Sequence, residues 1–406
     1  MRILVIGTVR QAHQMIQKLG HEQVLFMNSD TAKPSDVEFG YEHAFFFNKD
    51  SESQEYVAVA RALHQVKAFD AVCSFNDTTQ KIAIHVADAL QLSFPVSLGT
   101  LSVLYNKNKT RQVLQHHGLD DTEFETIESE AQLLSFIQRV NKTIIIKPID
   151  ATGSSGVAKI ESANDVNKAI AWLKHCGQNF PVIAETFLEG EEFSVEAISE
   201  DGTHKILGIT QKYKDPINFV ELGHVFPAPL SLSQNEIIER FVCDILDALG
   251  ITQGPTHTEV MLTAKGPKII ETHSRAGGDR IFELVELATG INIFEMTIRQ
   301  ACGERVFPVI ERKRKKGQVA AIRFAAIGFD KDTKLKSINN LDSARAIAGV
   351  IEVSPMKQPG DVMDVVTNSF GRSALAISVS DNAKMSIELC ERALNTLTFN
   401  LAWERN

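Results

Sequence analysis

The chain has 406 residues, enough for two or three domains with separate cores. Its hydrophobic content of 44% and charged content of 23% are those of a soluble globular protein, and a net charge of −9 argues against general nucleic-acid binding, which wants a basic face. Five cysteines with no CxxC pair argue against a disulfide frame or a zinc site and for reduced thiols. No apolar run approaches the length of a membrane span, and RILVIGT at the start reads as a first strand instead of a signal peptide, so a cytoplasmic protein is expected. Short apolar segments at 2–8, 23–27, 44–48 and 70–75 alternate with helix-like segments near 10–19, 52–66 and 78–91. That alternation predicts a doubly wound parallel sheet over residues 1–100. Gly7-Thr8-Val9-Arg10 lacks GxGxxG, so a dinucleotide is not supported. Asn76 and Asp77, at the carboxyl end of the fourth strand, are either ligand residues or the cap of the next helix.

A helix over 106–117 ends at Gly118 and leads into mixed strands and helices up to about residue 300. Within that region an apolar run ends in Lys147-Pro148 and enters the loop Thr152-Gly153-Ser154-Ser155-Gly156. Glycine lets backbone N–H groups approach a phosphate, although no Gly-Lys-Ser/Thr follows as a Walker loop would require. An ordinary glycine hairpin is the competing reading. In 181–198 an apolar strand carries Glu185, then Phe187-Leu188, Gly190 and Glu192, which suits a hinge where adenine lies on apolar side chains and the acids meet its amino group and the ribose. The segments 193–199 and 204–210 flank Asp201-Gly202 as a hairpin.

Residues 256–279 carry the strongest geometric expectation. Two apolar stretches flank Ala264-Lys265-Gly266, so a hairpin there opposes Glu259 to Glu271 and His257 to His273. Opposed residues have Cβ atoms about 4.5–5.5 Å apart, and two carboxylates that close need a proton or cation between them. Mg²⁺ with substrate phosphates meets that need, and a His₂Glu₂ transition-metal site is the alternative. Ser274-Arg275-Ala276-Gly277-Gly278-Asp279 before an apolar helix forms an anion site or a plain helix entry, with Asp279 either bordering a pocket or capping that helix. Lys212 is placed to reach phosphate or sits on the surface. The region 301–406 begins with a basic loop and reads as a small α+β extension with a helix from Ala383.

Lys107, Lys147 with its Gly-Ser loop, Glu185 to Leu188, Glu192, Glu259 and Glu271-x-His-x-Arg275 stand in the order found in the ATP-grasp superfamily, over about residues 70–300. Within it the chain resembles carboxylate–amine ligases of the L-amino acid ligase type, which make dipeptides in pathways such as bacilysin and dapdiamide assembly. That narrower resemblance rests on VELGHVFPAPL (220–230), with Glu221 and His224 three apart, and on the extension from GQVAAIRF. The resemblance implies an α/β, three-domain architecture: an N-terminal doubly wound domain (1–100), an ATP-grasp domain (101–300, lobes about 110–190 and 190–300) holding ATP between two α+β lobes, and an extension (301–406) completing the large lobe. It implies ATP and Mg²⁺, small-molecule amino-acid substrates, and is compatible with a homodimer.

By the same resemblance Lys107 (with Lys109 as competitor), Lys147 and Lys212 would meet phosphates under the loop Gly153, Ser154, Ser155 and Gly156. Glu185, Phe187, Leu188 and Glu192 would hold the nucleoside, and Glu259, Glu271 and His273 the metal. Arg275 with the Gly277 and Gly278 amides would stabilise an oxyanion, and Glu221, His224, Asp279 and Asn76 would bind substrate, with His224 also able to shuttle a proton. The family usually has asparagine where this chain has His273, so Mn²⁺ is also admissible. Carboxylases of the biotin carboxylase or purine-pathway type, and a non-catalytic nucleotide-binding module, are the rival readings.

Overall fold

Leu4 and Ile6 face one way and Ile3 and Val5 the other on the first strand, β1 (Arg2–Ile6), and all four are buried. A run apolar on both faces suits a central parallel strand. In the computed structural model, which describes all residues except 33–38, 150–152, 154, 316, 330–332 and 404–406, β1 lies between β2 (Glu22–Asn28) and β4 (Ala71–Cys73), with β3 (His43–Phe47) outermost. All the pairings are parallel. Helix Arg10–Lys18 packs with Ile3 and Val5, and helices Ser53–Val66 and Asp77–Leu90 pack with Leu4 and Ile6, which gives the doubly wound layers expected. The chain then forms two helices, Leu98–Leu104 and Lys107–His116, where one was expected. Asn106 separates them and its side chain accepts from the Lys109 N–H at 3.0 Å, which fixes the start of the second.

A small antiparallel sheet follows, from β5 (Phe124–Ile127), β6 (Ile144–Pro148), β7 (Ala158–Ile160) and β8 (Val182–Thr186), in the order β5-β8-β6-β7. Ile144 and Ile146 pack with Leu133, Phe136, Ala169 and Leu173 of two backing helices. Strand alternation therefore turns Ile145 and Lys147 to the other face, where a cleft opens.

The remaining strands are β9 (Glu191–Glu200), β10 (Thr203–Lys214), β11 (Glu221–Phe226), β12 (Gly254–Thr263), β13 (Gly266–His273), β14 (Val319–Ala325), β15 (Thr333–Asn339), β16 (Val350–Pro355), β17 (Ala374–Ser380) and β18 (Thr398–Trp403). Eight of them form one sheet, β13-β12-β9-β10-β11-β14-β17-β16, and β15 pairs with β18 apart from it. The β9–β10 turn uses Asp201 at φ 51° and Gly202 at φ 74°, the left-handed pair of a tight hairpin. Further along β10 the register slips between Ile206 and Gly208. A Cβ at Gly208 would lie 2.5 Å from the Phe226 ring, so Gly208→Ala should destabilise the protein by about 1–3 kcal/mol, read as a lowered thermal midpoint. No helix among the described residues is long and apolar enough to cross a membrane.

Candidate active site

The β12–β13 hairpin sets Glu259 directly opposite Glu271 and His257 opposite His273, the register expected, with the two imidazoles 6.3 Å apart. Each carboxylate meets cations of this chain. Glu259 contacts Lys212 and lies 3.4 Å from His257 Nε2, and Glu271 lies 3.3 Å from Lys107 and 3.2 Å from His273 Nε2. Burial would raise both carboxyls, but these cations outweigh it and hold both well below the usual range. His257 Nδ1 is 2.8 Å from the fully buried Glu196, and although burial opposes it, Glu196 and then Glu259 push His257 up to about 9. His273 has Nδ1 3.3 Å from Asp77 and Nε2 on Glu271, so neither ring nitrogen is free in this arrangement. The close groups of three possible ligands among the described residues are Glu192–Glu221–Glu259 and Glu221–His224–Asp279, and neither Glu271 nor His273 belongs to either.

Lys107, Lys212, His257, Glu259, Glu271 and His273 line a cleft of about 940 Å³ between the small sheet and the large one. Lys147 enters from β6, 2.8 Å from Glu185 of β8, which also lies 3.2 Å from Arg111. Burial would raise Glu185, yet Lys147 and Arg111 hold it at about 2. Both oxygens of Glu185 are thus occupied within the chain, and Glu192, expected at a ribose, holds Lys212 at 3.0 Å and Lys214 at 2.6 Å. Phe187 and Leu188 line the cleft, as do Gly153 and Ser155. Gly156 instead packs under the loop against Pro148 and Leu173, and Ser154 lies outside the described residues. Lys107 lines the cleft, whereas Lys109 donates to Ser102 at 2.9 Å away from it.

Arg275 and Gly278 also line the cleft, with Arg275 Nε donating to Asp77 at 2.8 Å. Gly277 sits on the buried pair below, for a Cβ there would lie 2.8 Å from His257 Nδ1. Asp279 does not cap the following helix. Arg372 grips its carboxylate in a fork of 2.7 and 2.5 Å, and His224 Nε2 lies 3.3 Å from it. Asp279 and Arg280 both have positive φ, 49° and 64°, a strained pair for non-glycine residues. Arg280 is held in turn by a fork to Glu352 at 2.6 Å. His224 is fully buried behind Glu221 and Asp279, and Asn76, outside the cleft lining, accepts from the Thr79 hydroxyl.

Residues 140–283 match the ATP-grasp domain family, and residues 329–402 match the L-amino acid ligase C-terminal domain 2. The chain carries an ATP-grasp domain. The ATP-grasp fold is matched end to end by the crystal structure of an L-amino acid ligase from Bacillus licheniformis, with a TM-score of 0.84 at 21% identity over 100% of this chain and 99% of that one. Phosphoribosylglycinamide synthetase from Anaerococcus prevotii gives a TM-score of 0.74 at 16% identity over 99% of both chains. Among curated proteins, an uncharacterised protein, y4rH, of Sinorhizobium fredii is 27% identical over 73% of this chain and 61% of its own length. The D-alanine–D-alanine ligase of Bordetella avium is 27% identical over 40% of this chain and 54% of its own. Dapdiamide A synthase of Enterobacter agglomerans is 25% identical over 44% of each. The chain thus spans less than two thirds of the length of these curated relatives.

Proposed function

We propose that the protein is an ATP-dependent carboxylate–amine ligase that joins two amino acids or modified amino acids. The observation that carries this reading is one cleft holding Lys107, Lys147, the opposed Glu259 and Glu271, and Arg275 beside the Glu221–His224–Asp279 group. A carboxylate oxygen of the first substrate attacks the γ-phosphorus of ATP, ADP leaves, and an acyl phosphate forms. The amine of the second substrate attacks that carbonyl carbon, phosphate leaves, and the amine releases a proton to give the amide. Lys107, Lys147 and Lys212 exchange their carboxylate partners for phosphate oxygens. Gly153 and Ser155 cover the transferred group and exclude water that would hydrolyse the acyl phosphate. Arg275 and the Gly278 amide meet charge developing on the carbonyl oxygen, while Gly277 gives the close packing beneath them.

Glu221 takes the α-ammonium of the amino acid and His224 orients it. Phe187 and Leu188 form the apolar wall for adenine. The opposed carboxylates are hard oxygen donors now answered by ammonium groups, a set that fits a divalent cation. Glu259 and Glu271 would hold Mg²⁺, which when bound neutralises charge on the phosphates. With both nitrogens of His273 on carboxylates, oxygen donors dominate and Mg²⁺ suits the site better than a softer ion. We further propose a cytoplasmic reaction in peptide-antibiotic biosynthesis, a reading supported by the likeness to dapdiamide A synthase.

The test is phosphate release from Mg·ATP with the twenty amino acids singly and in pairs, with products weighed by mass spectrometry. Release that needs one pair, with a product lighter than their sum by one water, is the expected result. Release that needs bicarbonate instead would move the chain among the carboxylases. Glu221→Ala should raise the KM of one amino acid by at least about tenfold, the worth of a charged hydrogen bond, while ATP affinity stays unchanged. Unchanged amino-acid kinetics would remove Glu221 from the pocket.

A further inference from the structure

The C-terminal region reaches the cleft through a short turn, Ser369–Gly371, and the arginine after it. Arg372 is buried and all its nitrogens are engaged. Nε donates to the Ser369 carbonyl at 2.6 Å, Nη1 and Nη2 fork onto Asp279, Nη1 also reaches the Glu221 carbonyl at 3.2 Å, and the guanidinium lies 3.6 Å from the Phe324 ring centroid. Phe324 in turn stands edge-on to His224, with ring centroids 6.2 Å apart. The same turn touches the glycine-rich loop, where the Ser369 N–H donates to the Gly153 carbonyl at 3.2 Å. One side chain therefore contacts the strained Asp279, the backbone of Glu221 and the aromatic neighbour of His224.

We propose that Arg372 is the positioning residue of the amino-acid pocket, holding Asp279 and the start of β11 so that Glu221, with the buried His224 behind it, can grip the substrate. Arg372 does not touch the reacting atoms and acts through these neighbours. The assignment rests on the ligase reading above. A planar fork is what the geometry uses, and lysine, a single point charge, cannot reproduce it. On the nucleotide side the turn meets Gly153 through the Ser369 main-chain N–H, which needs no Arg372 side chain, so the larger effect falls on the amino acid.

The experiment compares the full-length protein with Arg372→Lys and Arg372→Ala in phosphate release, alongside Mg·ADP binding by calorimetry. Arg372→Ala should raise the KM of the amino acid by at least about thirtyfold, since a buried carboxylate loses its partner. Arg372→Lys should recover only a minor part of it, and both should keep Mg·ADP affinity within about threefold, a split that general loosening of the fold would not give. If Arg372→Ala fails to bind Mg·ADP through misfolding, Arg372→Lys decides alone. An unchanged amino-acid KM in a variant that binds Mg·ADP overturns the assignment while leaving the ligase reading intact. A wild-type protein that binds Mg·ADP but releases phosphate with no amino acid removes the ligase reading, and the assignment with it.

Discussion

Lys147→Ala should abolish phosphate release with every substrate pair, by at least about a hundredfold, the scale of losing one preorganised charge at the reacting centre. Lys147 is the cation that β6 presents to the cleft, on the face opposite Ile144 and Ile146, and no neighbour on that strand can replace it. The variant should still fold, because Glu185 keeps Arg111 at 3.2 Å as its partner. Circular dichroism and a thermal melt check the fold, and a phosphate assay checks the chemistry. Near-normal turnover in a folded variant would remove Lys147 from the site.

Arg111→Met should cost about 3–5 kcal/mol of stability, the usual penalty for leaving buried charge without its partner. Arg111 lies between Glu185 and Asp120, at 3.2 Å from each, and donates to the Ile269 carbonyl at 2.9 Å. It thereby ties helix Lys107–His116 to the small sheet and to β13. Both carboxylates are buried, so removing the guanidinium leaves Glu185 with Lys147 alone and Asp120 with the Thr122 hydroxyl and N–H in place of a cation. Denaturant unfolding measures the loss, and a variant as stable as the parent would mean that water or another group satisfies those acids.

Local pattern made much of this legible. The apolar alternation of β1 to β4 fixed the parallel sheet, and the Ala264-Lys265 turn fixed the register that opposes Glu259 to Glu271. Lys107 could be told from Lys109 only in three dimensions, because both sit in the first turn of one helix and differ in which face they take. Arg111 carried a usable signal, one helical turn beyond Lys107 and so on the same face. Glu196 had one too, two and four residues beyond Ser194 and Glu192 on one face of β9. Of the pair at the end of the fourth strand, Asn76 and Asp77, it is Asp77 that meets Arg275 and His273. Arg372 had none, since 93 residues separate it from Asp279 and only the sheet order brings them together.

The order β11-β14-β17-β16 has a consequence for exchanging parts between relatives. The match to the L-amino acid ligase C-terminal domain 2 begins at residue 329, between β14 and its later partner β17. A chimaera joined there would ask a foreign β17 to bond, residue by residue, along a resident β14. The inherited unit of sequence and the unit that folds do not share a border, and a graft meant to transplant specificity should carry β14 along with Arg372.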